Sequence, residues 1–264
     1  MTVGEALRAL EAREARLLLA RATGFSEASV LAHPERPLSA EAQRRFIDFA
    51  QRRARGEPIA YILGEKEFYG LPLGVNPAVL IPRPETELLV ELALARKPST
   101  VLDLGTGCGA IALAIKRHLP AARVVAVERS AAALAVAARN AMRLGLELEL
   151  RHGLWFGPVA GERFDLVVAN PPYVAEGDPH LAQGDLRFEP QGALVAGPEG
   201  LDSIKEIVKA VGSFLLPGGG LLLEHGFGQE AAVRALLAAA GLESVATWPD
   251  LAGIARVSGG TLKS

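Results

Sequence analysis

The sequence predicts an α/β protein with a doubly wound, mainly parallel sheet and a small helical domain in front of it. From residue 84 onward, stretches of helical periodicity alternate with short apolar runs, as in successive βαβ units. The last two apolar runs, 243–248 and 254–258, have no helix between them. We therefore expect the sheet to end in an antiparallel pairing, because only antiparallel strands can be joined by a short turn.

Three segments with different patterns define the expected domain organisation. Residues 1–62 carry apolar side chains at helical spacing, with Ser26 and Ser39 where N-caps would stand, which predicts about three helices. Residues 63–83 combine short apolar runs with glycine and proline, so we expect a β-hairpin linker there. Residues 84–264 form the predicted α/β domain.

Within the α/β domain, the apolar pattern gives the order of the elements. Stretches rich in alanine and leucine with a helical period predict helices over 86–96, 110–118, 131–144, 203–215 and 229–240. Short runs of aliphatic residues between them predict strands over 100–104, 123–128, 147–152, 165–169 and 221–225. The regular alternation of the two kinds of element is the basis of the doubly wound prediction.

The composition favours a reducing, aqueous environment and excludes a broad nucleic-acid surface. A formal net charge of −2 argues against a stable complex with nucleic acid, because sequence-independent binding depends on many cationic side chains. The single cysteine, Cys108, excludes an intramolecular disulfide and a multi-cysteine metal site. No secretory signal is visible, and no apolar run reaches the roughly 20 residues of a membrane span. We expect a cytoplasmic protein without membrane association or bound metal.

A glycine-rich turn follows the first predicted strand of the α/β domain and opens a helix. Gly105, Gly107 and Gly109 let backbone N–H groups approach a ligand at the positive end of that helix. The pattern predicts a nucleotide-like ligand, but it also fits the dinucleotide fingerprint of nicotinamide enzymes or a tight turn without ligand. Asp103 favours S-adenosylmethionine, because a carboxylate at that position can meet the ammonium group of the methionine moiety.

Glu128 closes the next predicted strand, 23 residues after Gly105. A carboxylate at that strand end can accept hydrogen bonds from both hydroxyls of a ribose. The alternative is an acid that only stabilises the positive end of the following helix. Cys108 has no partner base implied by its position in the sequence, so we expect a small packed side chain there rather than a nucleophile.

The strand predicted over 165–169 runs directly into Asn170-Pro171-Pro172-Tyr173. Because ligands in open α/β sheets bind beyond the carboxyl ends of the strands, this loop is expected to face the same crevice as the glycine turn. The Asn170 side-chain oxygen and the Pro171 carbonyl can accept both N–H bonds of an –NH2 group and orient its lone pair. Pro172 keeps Pro171 extended, and Tyr173 can stack on a flat acceptor. The loop predicts methylation of a nitrogen on a planar group, and a rigid proline turn is the structural alternative.

These motifs resemble those of the release-factor glutamine N5-methyltransferases of the HemK or PrmC type. The resemblance covers nearly the whole chain, is strongest from residue 61 onward, and rests on the segments 80–87, 103–109, 170–173, 178–181, 183–190 and 223–226. It implies a Rossmann-like class I methyltransferase sheet with an antiparallel final strand. It also implies S-adenosylmethionine as cofactor and a peptide-chain release factor as protein substrate, methylated at the glutamine of a Gly-Gly-Gln sequence.

The resemblance also implies residue roles. With Asp103 included, the expected cofactor-binding residues are Asp103, Gly105, Thr106, Gly107, Cys108, Gly109, Glu128, Trp155 and Asn170. The glutamine is expected on Asn170, Pro171, Pro172 and Tyr173, with Asn170, Pro171 and Tyr173 as the catalytic residues. Leu154 stands where many relatives have an acid that accepts from the adenine amino group, so adenine recognition is expected to depend on backbone groups and packing.

Several roles and alternatives stay open at this point. Arg83 lies in a proline-bracketed segment that fits either a lid over the cofactor or a structural tether, and the sequence assigns no catalytic role to Glu189 or His225. The helical domain over 1–62 is the expected recognition domain for the release factor. The alternatives are a DNA adenine-N6 methyltransferase, a nicotinamide-dependent oxidoreductase and a non-catalytic nucleotide-binding protein. The first lacks an obvious basic target-recognition domain.

Overall fold

Five helices build the first of two structural units in the computed structural model, which describes all 264 residues. This helical unit comprises Met1–Glu65 and the short segment Ala182–Phe188. Its helices are α1 (Val3–Leu7), α2 (Ala12–Thr23), α3 (Glu27–Ala32), α4 (Ala40–Ala54) and α5 (Ile59–Leu63). More helices are present than the three expected, because α1 and α5 have only five residues each and are too short to show a period.

Ser26 and Ser39 begin α3 and α4 as N-caps, as their positions in the sequence predict. Ser26 Oγ accepts a hydrogen bond from Ser29 N at 3.2 Å, and Ser39 Oγ accepts one from Ala42 N at 3.1 Å. Each bond satisfies a backbone donor that helix geometry leaves free. The apolar faces of the helices meet in a buried core that includes Val3, Leu18, Leu19, Val30, Phe46 and Ile62.

A two-stranded hairpin lies within the range 63–83, where the sequence predicts one. Its strands are β1 (Glu65–Phe68) and β2 (Leu71–Gly74). The two residues of the turn, Tyr69 and Gly70, have φ values of +50° and +74°. Two positive φ values at the centre of a two-residue turn match the right-handed twist of the strands, which is why short hairpins favour this turn.

The remaining elements alternate along the chain and belong to the second unit, the sheet unit, which comprises Lys66–Leu181 and Glu189–Ser264. They are α6 (Glu87–Ala95), β3 (Thr100–Leu104), α7 (Ala110–His118), β4 (Arg123–Glu128), α8 (Ala131–Leu144), β5 (Glu149–His152), β6 (Phe164–Ala169), α9 (Asp202–Val211), β7 (Leu215–Glu224), α10 (Glu230–Ala239), β8 (Leu242–Pro249) and β9 (Ala255–Leu262). None of the helices is long and apolar enough to cross a membrane.

Seven strands form one sheet in the order β5-β4-β3-β6-β7-β9-β8. The pairings from β5 to β7 are all parallel, whereas β9 runs antiparallel to both β7 and β8. The chain therefore starts in the middle of the sheet, winds outward in one direction through β4 and β5, and then returns to build the other half. This topology confirms the predicted doubly wound sheet with an antiparallel final strand.

The boundaries of β7 differ from the sequence-based expectation. We expected a helix over 203–215 and a strand over 221–225, but α9 ends at Val211 and β7 begins at Leu215. Leu215 pairs with Phe164 of β6, and the register shifts before Gly220 pairs with Leu166. Pro217 and the following glycines thus form an irregularity inside a strand, because pairing with β6 outweighs their tendency to end one.

The central strands bury one face against α9 and α10. Leu102 of β3, Val125 of β4 and Val167 of β6 are fully buried in the same apolar cluster. The helices contribute the buried residues Ile204, Ile207, Val208, Val211, Val233 and Leu237 to that cluster. Parallel strands buried in this way read as continuous apolar runs, which is why β3, β4 and β6 were visible in the sequence.

Asn140 on α8 joins the hairpin and the glycine turn to the helix layer. Its Oδ1 accepts a hydrogen bond from Gly74 N at 2.7 Å, and its Nδ2 donates to Gly74 O at 3.0 Å and to Cys108 O at 2.9 Å. The residue is only 2% exposed. One buried carboxamide therefore satisfies backbone groups of two separate segments.

Replacing Asn140 with alanine should lower the free energy of unfolding by about 2–4 kcal/mol, because buried backbone groups would lose their side-chain partner. Urea unfolding followed by circular dichroism measures the change. Met142→Ala is the matched control, because Met142 lies on the same helix and is 80% exposed. Its free energy of unfolding should change by less than about 0.5 kcal/mol. Equal unfolding curves for the two variants would contradict this interpretation of Asn140.

Candidate active site

Three neighbouring parallel strands end at the same edge of the sheet and open a cleft there. Leu104 of β3 pairs with Val127 of β4 and with Ala169 of β6, so the residues that follow these strands meet. The cleft holds a cavity of about 290 Å³. The predicted site residues on its wall are Gly105, Gly107, Glu128, Trp155, Asn170 and Pro172.

The glycine turn has the backbone conformation that the sequence predicts. Gly105, Gly107 and Gly109 have φ values of +74°, +57° and +89°, in the left-handed region that other residues rarely adopt. Gly105 N and Thr106 N donate to Val127 O at 2.9 and 3.0 Å, which fixes the turn against β4. Gly105 and Gly107 line the cavity, whereas Gly109 caps α7 and lies on neither cavity wall.

Glu128 faces the cavity from the end of β4 and is held by two backbone donors. Its Oε2 accepts from Gly107 N at 3.0 Å, and its Oε1 accepts from Ser130 N at 2.8 Å. A carboxylate offers about four lone-pair sites, so each oxygen keeps acceptor capacity for a further group. The geometry suits the pair of hydroxyls of a ribose. The two backbone hydrogen bonds also fix the orientation of the Glu128 carboxylate.

Asp103 lies beneath the glycine turn and lines neither cavity. It is 1% exposed, and its Oδ2 accepts from the Thr106 hydroxyl at 2.6 Å. Its Oδ1 is buried without a hydrogen-bond partner, and burial raises the pKa of this carboxyl to about 7. An unpaired buried carboxylate oxygen is costly, and a cationic ligand group would relieve that cost. This unpaired oxygen is the observation that fits the ammonium end of S-adenosylmethionine.

A smaller cavity of about 50 Å³ adjoins the main one and shares Gly105, Gly107 and Asn170 with it. Thr106 and Cys108 line this smaller cavity. Burial raises the pKa of the Cys108 thiol to about 12, so the thiolate needed for nucleophilic attack is scarce at neutral pH. The structure therefore agrees with a packed side chain at Cys108.

Trp155 forms a flat wall of the main cavity. Its Nε1 donates to Glu206 Oε2 at 2.8 Å, and its ring lies beside Gly105, where a Cβ atom would be 3.5 Å from it. Trp155 has a φ of +44°, a left-handed conformation that is uncommon for an aromatic residue. Leu154 lies on the same wall and is half exposed. Both side chains can pack against a nucleobase, and neither offers it a charged hydrogen-bond partner.

The loop after β6 presents two acceptor atoms without protein donors. Asn170 Nδ2 donates to Thr86 Oγ1 at 3.1 Å, which leaves Asn170 Oδ1 free. No protein group donates to the Pro171 carbonyl oxygen either. The Tyr173 hydroxyl donates to Glu224 Oε1 at 3.2 Å, and burial raises the pKa of Tyr173 above its usual range. Pro171 and Tyr173 line neither cavity, so the loop continues past the cavity wall.

The segments that follow Tyr173 hold this loop in place. Val174 N donates to Leu194 O at 2.8 Å, and Ala196 N donates to Val174 O at 3.0 Å. Gln229 Nε2 donates to Tyr173 O at 3.1 Å. These contacts fix the backbone on the carboxyl side of the acceptor loop. Tyr173 O thus has a protein donor, whereas Pro171 O has none.

Thr86, Glu189 and Glu224 are site residues to which the sequence assigned no role. Glu189 is buried, forms an ion pair with the partly exposed Arg83 and accepts from Ile81 N at 3.0 Å. Arg83 also lines the smaller cavity. Glu224 is a carboxylate at the end of an otherwise apolar strand, and that was the signal that could have identified it. His225 is fully buried and contacts Ser258 Oγ, away from the cavities.

Comparisons with known proteins agree with this geometry. A family model for the PrmC N-terminal domain matches residues 4–64, and one for the methyltransferase small domain matches residues 84–186. Among solved structures, a methyltransferase from Pyrococcus furiosus superimposes with a TM-score of 0.59 at 18% identity, covering 82% of this chain and 99% of that one. An rRNA methyltransferase of T. thermophilus in complex with AdoMet and guanosine has a TM-score of 0.57 at 22% identity, covering 75% of this chain and 50% of that one.

The sequence similarity is more specific than the similarity of fold. The release factor glutamine methyltransferase of Burkholderia pseudomallei (strain K96243) is 51% identical over 274 residues, which cover 99% of this chain and 96% of that protein. Similarity of this extent includes the glycine turn, the acceptor loop and the helical unit together. The chain therefore belongs to the release factor glutamine methyltransferase family.

Proposed function

We propose that this chain transfers a methyl group from S-adenosylmethionine to the side-chain amide nitrogen, N5, of a glutamine in a peptide-chain release factor. The observation that carries the proposal is Asn170 Oδ1, an acceptor without a protein donor on the wall of a cavity suited to a nucleoside, followed directly by the Pro171 carbonyl oxygen, which also has no protein donor. A primary carboxamide has two N–H donors, and this pair matches them. Family membership supports the same substrate.

The cofactor would be held at three points along the strand ends. Glu128 would accept from the ribose hydroxyls, and Trp155 and Leu154 would pack against the adenine. Gly105 and Gly107 leave room for a close backbone approach, and Asp103 lies beneath them with an unpaired oxygen for the ammonium group. When bound, S-adenosylmethionine supplies an electrophilic methyl group on a sulfonium.

The acceptor loop would overcome the low reactivity of the amide nitrogen. Its lone pair is delocalised into the carbonyl group, so orientation and polarisation must compensate. Hydrogen bonds from the amide to Asn170 and Pro171 would fix the amide plane and direct the nitrogen toward the methyl group. Tyr173 would pack on the flat face of the amide. The amide proton becomes acidic as the new C–N bond forms, so no strong base is required before transfer.

All glutamine side chains present the same amide, so binding of the amide alone cannot select one glutamine among many. Selection therefore needs a second contact. Residues 1–62 are the candidate, since none of the predicted site residues lies in this helical domain. We propose that it docks the body of the release factor while residues 170–173 take the glutamine. The Gly-Gly-Gln sequence would then reach the cleft as a flexible segment.

Glu128→Ala should weaken binding of S-adenosylmethionine at least about ten-fold, because the ribose hydroxyls would lose a charged acceptor. Isothermal titration calorimetry measures the dissociation constant. Glu147→Ala, at an exposed position before β5, is the matched control and should leave the affinity unchanged. A folded Glu128→Ala variant with wild-type affinity would remove Glu128 from the site.

Asn170→Ala should lower kcat about 100-fold or more while changing the cofactor dissociation constant only slightly, because its oxygen acts mainly during transfer. Tyr173→Ala should instead raise the KM for the release factor, because it removes packing surface for the bound amide. Steady-state assays with tritiated cofactor measure both quantities. Wild-type turnover in Asn170→Ala would disprove the acceptor role.

Incubation with tritiated cofactor should label a release factor but not its variant in which the glutamine of Gly-Gly-Gln is alanine. Duplex DNA is the second control, because an exocyclic amino group of adenine could occupy the same two acceptors. Label on DNA, or equal label on the glutamine-free factor, would refute the proposed substrate. Tryptic peptide mass spectrometry locates the added methyl group.

A further inference from the structure

Arg129 and Glu128 are the two charged residues that line the main cavity, and only Glu128 has a place in the proposed cofactor site. Arg129 is the first residue after β4. The end of the neighbouring strand β5 holds its backbone: Gly153 N donates to Glu128 O at 3.0 Å, and His152 Nε2 donates to Arg129 O at 2.9 Å. Arg129 therefore lies next to the turn from which Trp155 enters the cavity wall.

The Arg129 side chain reaches the segment 190–193, three residues of which also line the cavity. Its Nη2 donates to Gly192 O at 3.3 Å. A Cβ atom on residue 192 would lie only 2.2 Å from that nitrogen, so a side chain there would displace the guanidinium. Gly192 has no positive φ, so its backbone conformation does not require glycine. The position of the arginine accounts for the glycine instead.

The guanidinium of Arg129 makes no ion pair, and its hydrogen bond to Gly192 O leaves the other N–H groups without a protein acceptor. An unpaired guanidinium is flat, charged and weakly hydrated, so it stacks readily on aromatic ring systems. Proteins that bind single-stranded RNA use arginine planes in this way to hold bases by their faces. Arg129 can therefore hold a purine, whichever polar groups the edge of the base carries.

The nucleobase of the cofactor has few other partners at this cavity. The base is joined directly to the ribose, so it must lie close to Glu128 if the ribose hydroxyls bind there. Leu154 offers no acceptor side chain to the adenine amino group, and Trp155 offers only its ring. Contact through the face of the base suits these surroundings, because it needs no matching donor or acceptor.

We infer that Arg129 is a cofactor-binding residue whose guanidinium, held over the cavity by Gly192 O, stacks on the adenine of S-adenosylmethionine. The inference rests on the proposed function in one respect, since it presumes that the ribose binds Glu128. Gly192 acts as the positioning partner of Arg129: its carbonyl oxygen anchors the guanidinium, and its missing side chain leaves the space. A change at either residue should therefore weaken the cofactor in the same way.

Arg129→Ala should raise the dissociation constant of S-adenosylhomocysteine, the demethylated cofactor, at least about five-fold, because the stacked cation is lost. Isothermal titration calorimetry measures the constant. Arg129→Lys keeps the charge without the plane and should recover little of the loss. Arg163→Ala, at an exposed position directly before β6, is the matched control and should bind like the wild-type protein.

Gly192→Ala tests the positioning without removing the arginine. The added methyl group displaces the free end of a flexible side chain, so the fold should persist and the dissociation constant should rise as in Arg129→Ala. Gly212→Ala is the control, because Gly212 has no positive φ and a Cβ there has no atom within 4 Å. Adding Gly192→Ala to Arg129→Ala should weaken binding no further, since both act through one contact. Wild-type affinity in Gly192→Ala, or additive losses in the double variant, would overturn the inference.

Nuclear magnetic resonance distinguishes stacking from a purely structural role. The Nε–H resonance of Arg129, assigned by its absence in Arg129→Ala, should move upfield when S-adenosylhomocysteine binds, because the ring current of a purine shields protons above its face. The Nε–H resonance of Arg163 should stay in place. An Arg129 resonance that does not move upfield would overturn the stacking, even if Arg129→Ala binds more weakly.

These measurements use the full chain without a release factor, which separates the inference from the proposed function. Weakened binding in Glu128→Ala together with wild-type affinity in Arg129→Ala would overturn the role of Arg129 alone. A chain that shows the expected binding and the upfield shift but never labels a release factor would refute the proposed substrate and leave the role of Arg129 standing.

Discussion

The in-register pairing of β4, β3 and β6 is the constraint on which the rest of the cleft depends. Leu104 lies opposite Val127 on one side and Ala169 on the other, so the glycine turn, Glu128 and the acceptor loop all leave the sheet at one level. A shift of one residue in either pairing would turn the side chains of that strand to the opposite face. The apolar cluster under the sheet excludes such a shift, because Leu102, Val125 and Val167 would leave it. Core packing thus specifies the positions of the polar groups at the sheet edge.

Four buried carboxylates lie around this edge, and each is compensated differently. Glu189 is paired with Arg83, and Glu128 accepts from two backbone N–H groups. Glu224 accepts from the Tyr173 hydroxyl, and Asp103 has one hydroxyl partner and one unpaired oxygen. Each of these buried carboxylates destabilises the fold relative to an apolar side chain in the same position. Their concentration at one end of the sheet is typical of a site where stability is given up for function. The helical unit, by contrast, keeps its charged residues at its surface.

Local patterns in the sequence predicted most of the sheet unit, because its elements differ in period and its strands are continuous apolar runs. The bounds of β3, α7, β4 and α8 are those expected. The sequence also predicted that Gly105, Glu128 and Asn170 face one cleft, since each stands at the carboxyl end of a strand, and all three line the cavity. It assigned no role to Thr86 or Glu224, because their contacts join residues 84 and 51 positions apart in the chain. The long β7 was missed for a similar reason: its irregular half is defined by pairing with β6, which local propensity does not encode.

The position of Trp155 has an optical consequence. The chain has two tryptophans, and only Trp155 lines the cavity. Its indole is anchored to Glu206 on α9, so ring rotation is restricted and emission from this residue reports on one defined environment. A purine stacked on the ring would quench that emission, while Trp248 on β8 would supply a constant background. The protein therefore carries its own fluorophore for following nucleoside occupancy in real time, without a label and without turnover.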